Sequence, residues 1–111
     1  MVFIDTESIM KALGEPTRYR IWTCLLERKH CVRSLSKKMG ISESAISQHM
    51  KVMREAGLVY GEKYGYHTHY LPSPETVHQL FKSVQKMYEQ SQKLDRNTTV
   101  CQCEFKEGNA K

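Results

Sequence analysis

Residues 30–59, HCVRSLSKKMGISESAISQHMKVMREAGLV, carry two helical patterns on either side of the short hinge Met39-Gly40-Ile41-Ser42, and their reading decides the fold. In the second pattern Ala45, Ile46, Met50 and Met53 recur at helical spacing and form an apolar stripe. Ser42 is a good N-cap and Gly57 a stop, which bounds this helix at residues 43–56. The same repeat leaves Ser44, Ser47, Gln48 and Lys51 on the opposite side. The first pattern, residues 32–39, turns Leu35 and Met39 inward and ends at Gly40. Two short helices joined by a glycine-containing turn make a helix-turn-helix, whose second member presents side chains to the DNA major groove. Gln pairs bidentately with adenine, Ser serves either base type, and Lys51 suits a phosphate. Binary patterning alone also leaves a polar stripe on any solvated helix, so the flanking elements decide between the two.

Upstream, TESIMKAL at residues 6–13 reads as a short helix capped by Thr6, with Ile9, Met10 and Leu13 inward and Gly14 as its end. Pro16 opens PTRYRIWTCLLERK, a core helix through Ile21, Trp22 and Leu25. Cys24 falls on that apolar face and reads as packing. Downstream the period changes. LVYGEK and YHTHYL are two runs rich in β-formers joined at Tyr64-Gly65, which predicts a hairpin. Pro72 and Pro74 break the strand. Val77, Leu80, Phe81, Val84, Met87, Tyr88 and Ser91 then mark an amphipathic helix of about twenty residues. Its apolar face is too long for one small domain, so part of it is expected to pack on a second copy. The organisation is one domain over residues 1–96 and a polar, mobile, cysteine-containing tail over 97–111. The fold class is mainly α with a small β-hairpin.

With 111 residues the chain fits a single domain, and a core shared with a second copy would help so short a chain. Seventeen Lys and Arg against twelve Asp and Glu give a net charge of +5, which favours a polyanionic partner. The excess lies in residues 1–40, so phosphate contacts must draw on Arg18, Arg20, Arg28, Lys37 and Lys38 or on neutral donors. No stretch approaches the ~18 apolar residues of a membrane span, and the first residues lack a secretory pattern, so the chain reads as cytoplasmic. In that reducing setting the four cysteines are thiols, available for metal ligation, redox sensing or burial.

LGEPTRYRIWTCL, the thirty residues quoted above and YGEKYGYHTHYL together resemble the ArsR/SmtB family of winged-helix repressors, from about Lys11 to Val84. The resemblance implies a homodimer through the first and last helices, a recognition helix at residues 43–56 and a wing around Lys63 to His67. It also places His49 at a family position near DNA, where a half-buried histidine bridging helix and scaffold is an equal reading. The DNA-binding set is therefore Ser44, Ser47, Gln48, His49, Lys51, Lys63 and His67, and the partner is double-stranded palindromic operator DNA. Half-sites would lie about one helical turn, ~34 Å, or a multiple of it apart.

Members of the family often release DNA on binding a metal or metalloid. Where one known site reads Cys-Val-Cys-Asp-Leu-Cys, this chain has Cys31-Val32-Arg33-Ser34-Leu35-Ser36, and only the first thiol remains. The family's zinc, cobalt or nickel site is weak here, because Pro74 and Thr76 stand where Asp and His would, and His78 is displaced. Cys101-Gln102-Cys103 offers the remaining chemistry: in an extended segment the two sulfurs fall on one side. With Cys31, from the same or the partner chain, they would make a three-sulfur site for As(III) or Sb(III), or with a further ligand for Cd(II) or Pb(II). The bland alternative is two unligated tail thiols and a small buried Cys31. A linkage of ~1–3 kcal/mol between such an ion and DNA would shift affinity about 5- to 150-fold. No folding cofactor is expected.

Two rivals keep part of this picture. In a redox or reactive-sulfur sensor of the same fold, Cys101 and Cys103 would oxidise. The family's redox pairing fits less well, since Cys24 lies one residue past the matching position, occupied by Thr23, and the last helix has no cysteine. A thiol-rich metal-trafficking protein would use the tail alone. No nucleophile with an orienting base and no glycine-rich phosphate loop appears, so an enzyme is not expected.

Overall fold

The computed structural model describes residues 4–94 and, for the tail, residues 101–105. Five α-helices and a two-stranded hairpin follow in the order α1 Thr6–Leu13, α2 Pro16–Glu27, α3 Val32–Met39, α4 Glu43–Glu55, β1 Val59–Tyr64, β2 His67–Pro72 and α5 Pro74–Lys93, with a short 3-10 turn at Gln102–Phe105. Each helix starts where the sequence supplies an acceptor for its orphan N–H groups. Ser42 accepts from the Ala45 amide, Ser73 from that of Thr76, and Glu15 from that of Arg18. Proline at the first position of α2 and of α5 costs no hydrogen bond there. The cap of α1 is Asp5, which accepts from the Ser8 amide, and not Thr6. Thr6 turns instead to Ser83 of α5, with 3.2 Å between the hydroxyl oxygens.

The core lies where α1 to α4 meet the start of β1, and Ile9, Ile21, Leu35, Ile46, Met50, Met53 and Leu58 are fully buried. On α1 the inward pair is Ile9 and Ala12, while Met10 is exposed and Leu13 only half-buried. Cys24 is buried with Ile21, Trp22 and Leu25, as its place on the apolar face of α2 requires. Gly40 ends α3 with φ 72°, a left-handed conformation that sets the hinge between α3 and α4.

The hairpin is antiparallel, pairing Val59 with Pro72 and Tyr64 with His67. The turn itself is Gly65-Tyr66, with Gly65 at φ 64°. A third backbone pairing fixes the hairpin to the body: the Tyr70 amide donates to the His30 carbonyl at 2.8 Å. Helix α5 docks through its first half only. The Thr76 hydroxyl donates to the Gly57 carbonyl at 2.6 Å, and Leu80 packs on the core. From Val84 to Lys93 every residue is exposed, including Val84, Met87 and Tyr88. Among the described residues no helix is long and apolar enough to cross a membrane.

Candidate DNA interface and thiol site

Burial of Ile46, Met50 and Met53 fixes the rotation of α4, and the side chains that remain outside are Ser44, Ser47, Gln48 and Lys51, all exposed. His49 is half-buried, and its ring lies close enough to Glu15 to act on that carboxylate. Glu15 is held below the usual carboxylate range first by the Arg18 amide and then, against burial, by the charges of His49 and Arg18. Lys63 and His67 are exposed at the far end of the hairpin, beside the fully exposed ring of Tyr66.

The basic residues named from sequence divide into two groups. Arg20, Arg28, Lys37 and Lys38 are exposed. Arg18 is committed elsewhere: its Nε donates to the Ala12 carbonyl at 2.7 Å and an Nη to the Lys11 carbonyl at 3.4 Å. It thus closes the carbonyl end of α1, a cation at the negative pole of the helix dipole.

The hairpin is pinned by residues that local sequence patterns do not single out. Lys29 donates to the Tyr64 hydroxyl at 3.0 Å and lies 4.5 Å from the ring centre, while that hydroxyl donates to Glu62 at 3.0 Å. The ring also meets that of His69 at 4.6 Å between centroids, and Nδ1 of His69 is buried without a partner. Strand alternation would have put Glu62 and Tyr64 on one face. Nothing local pointed to Lys29, 35 residues away.

Cys31 is the N-cap of α3. Its sulfur accepts from the Ser34 amide at 3.4 Å, and the Ser34 hydroxyl accepts from the Cys31 amide at 3.1 Å. Burial pushes this thiol up, but the Ser34 amide and hydroxyl and the Arg33 amide outweigh it, so Cys31 ionises below an ordinary thiol. His30, with Nδ1 2.9 Å from the Ser34 hydroxyl, is held below its usual value by burial and then by Lys38 and Arg28.

Cys101 and Cys103 flank the start of the 3-10 turn and are not in extended backbone, yet their sulfurs are 3.0 Å apart. Both are exposed free thiols. The hydrogen bond between them pulls Cys101 below the ordinary thiol value and pushes Cys103 above it. Cys31 is not brought to this pair within one chain: among the described residues no three His, Cys, Asp or Glu side chains cluster as a metal site would require. Cys31 and His67 are brought together, as linings of a single groove.

Residues 15–60 match the family model described as bacterial regulatory protein, arsR family. The chain is 32% identical over 73 residues to a transcriptional repressor SmtB homolog of Synechocystis, covering 66% of this chain and 55% of that protein. It spans about half the length of the first curated relatives it matches. A solved structure described as a possible transcriptional regulator for arsenical resistance is 33% identical, with a TM-score of 0.66, over 73% of this chain and 84% of that one. The fold also matches a homodimeric winged helix-turn-helix DNA-binding domain from Mycobacterium bovis, at 22% identity and TM-score 0.62 over 81% of this chain and 83% of that one. With a helix-turn-helix, a pinned wing and these relatives, the chain belongs to the ArsR family of winged-helix transcriptional regulators.

Proposed function

We propose that the chain is a homodimeric repressor that holds palindromic operator DNA through α4 and the wing, and releases it when Cys31, Cys101 and Cys103 take up a thiophilic metal(loid), As(III), Sb(III), Cd(II) or Pb(II). The observation that carries the DNA half is the exposed row Ser44, Ser47, Gln48 and Lys51, set by burial of the opposite face of α4. Lys63 and His67 of the wing serve the neighbouring groove or backbone, and His49 orients α4 from behind. Dimerisation is supported by the apolar side chains that α5 leaves uncovered, Phe81, Val84, Met87 and Tyr88.

The sensing half rests on the two sulfurs at 3.0 Å, already close enough to close on one soft ion. Among the described residues of one chain, Cys31 does not cluster with this pair. The third thiolate is therefore assigned to the other copy, and the site spans the dimer. Mixed dimers test this. A Cys31→Ser chain paired with a Cys101→Ser/Cys103→Ser chain retains one complete site if the site spans the dimer, and binds one arsenite with three sulfurs. If both sites lay within single chains, the mixed dimer would bind none in that way.

The same sulfur proximity favours one alternative, a dithiol redox sensor. With hydrogen peroxide, Cys101 and Cys103 would close a disulfide, their two electrons and two protons leaving with the peroxide oxygens as two waters. DNA release by peroxide, but not by arsenite under reducing conditions, would select it.

A further inference from the structure

The wing is a lever fixed at its base. Val59 is buried, the Ser73 amide donates to the Leu58 carbonyl at 2.8 Å, and the Tyr70 amide donates to the His30 carbonyl at the same distance. Gly61, which pairs with Tyr70, brings no side chain to stiffen the strand where the hairpin leaves the body. Beyond that point a two-stranded ribbon is marginal on its own in water, and the run from Gly61 to Tyr64 carries its end about 10 Å outward at ~3.3 Å per residue. A swing of about 20°, no more than the ordinary twist between neighbouring strands, would move that end by roughly 3–4 Å. That is enough to take Lys63 and His67 out of hydrogen-bond reach of a duplex. Among the described residues one hydrogen bond ties this outer half to the body, from Lys29 to the Tyr64 hydroxyl at 3.0 Å.

Building on the DNA-binding function proposed above, we infer that Lys29 and Tyr64 are positioning residues: they latch the outer wing to the connection between α2 and α3 and hold Lys63, Tyr66 and His67 where a duplex meets them, without touching DNA. The latch has a direction. A phenol has one proton to give, and it goes to Glu62, which strand alternation places on the same face two residues back. The oxygen's lone pairs are left for the Lys29 ammonium, which also lies 4.5 Å from the ring centre. Tyr64 therefore joins a cation of the body to a carboxylate of the wing, and its ring rests near that of His69 on β2. The charge of Lys29 is directed at the wing: the Tyr64 hydroxyl above all holds it over the ordinary lysine value. The next residue, His30, takes the Tyr70 amide, so two consecutive residues hold the wing at two points. Without the latch the wing samples other angles, and DNA affinity falls by the fraction that stays in place. One hydrogen bond of ordinary strength sets that fraction, so the loss is about two- to tenfold per half-site.

The test is the affinity of the full-length chain for a duplex enriched by the wild-type protein from a random-sequence pool, read across a cycle of variants whose urea midpoints match that of the wild type. Tyr64→Phe and Lys29→Met are each expected to weaken binding about two- to tenfold per half-site, and together to lose no more than the larger of the two. Lys29→Arg keeps wild-type affinity, because a guanidinium still donates to the hydroxyl and stacks on the ring. In a trimmed wing, Lys63→Ala/Tyr66→Ala/His67→Ala, Tyr64→Phe has no further effect, since the latch then has nothing to position. Wild-type affinity in Tyr64→Phe overturns the latch. So does a loss of undiminished size when Tyr64→Phe is added to the trimmed wing, which would put the hydroxyl itself on DNA. A trimmed wing that binds as well as the wild type overturns the wing's part in the proposed function, and this inference with it, while a pool from which no duplex is enriched overturns the DNA-binding function itself.

Discussion

Replacing Arg18 by Met separates a structural cation from a DNA-contacting one. The substitution keeps most of the aliphatic stem and removes the donors that meet the Ala12 carbonyl at 2.7 Å and the Lys11 carbonyl at 3.4 Å. Hydrogen bonds from charged groups are worth about 1.5–3 kcal/mol, and the longer contact adds little. Because the bond is only part-buried, a loss of about 1–2 kcal/mol is expected. With a urea slope of about 2 kcal/mol/M, the unfolding midpoint drops by roughly 0.5–1 M at a fixed protein concentration. The salt dependence of DNA binding stays as in the wild type. Removing a cation that neutralises one phosphate would flatten that slope by about 0.9, and by twice as much in a complex with two copies of the chain. An unchanged urea midpoint with a flattened salt slope would refute the reasoning, since Arg18 would then be directing its charge at DNA.

Gly40→Ala and Gly57→Ala share the cost of a left-handed alanine, about 1–2 kcal/mol, but a Cβ at Gly40 meets open space while one at Gly57 lies 3.0 Å from Ile4 and 3.3 Å from Thr76. Side-by-side urea melts are expected to show Gly57→Ala losing at least about 1 kcal/mol more, and equal losses would contradict the packing of Ile4 and α5 around Gly57. Cys31 is expected to be alkylated by iodoacetamide with a pH midpoint below the ordinary thiol value of 9.0, because thiolate is the reactive form and the fold favours it. Rates followed by mass spectrometry across pH measure this, and a midpoint at or above 9.0 would contradict the capping geometry.

The helices and hairpin were legible because each has a local cause: an apolar period, a capping acceptor, or a glycine where φ turns positive. The rotation of α4 followed from Ile46, Met50 and Met53 alone, and with it the outward row Ser44, Ser47, Gln48 and Lys51. What escaped depends on distant partners. Asp5 and Thr6 are equally good caps by sequence, and only Ser83, 77 residues away, draws Thr6 off. Arg18 reads as a free surface cation until the carbonyl end of α1 is seen to lie against it. The backbone at Cys101 to Cys103 was expected to be extended, and the sulfurs meet through a 3-10 turn instead. The groove that joins Cys31 to His67 is made by the wing folding back over α3, held by Lys29, Tyr64 and the His30–Tyr70 pairing. No local pattern encodes it.

The central claim is that the outer face of α4 reads base sequence, and Gln48→Ala tests it most directly. Affinity is measured for a duplex selected by the wild-type protein and for a duplex of random sequence, at one salt concentration. The account predicts a loss of about 1–3 kcal/mol per half-site on the selected duplex, and little change on the random one. Equal weakening on both duplexes, or none on either, would contradict it.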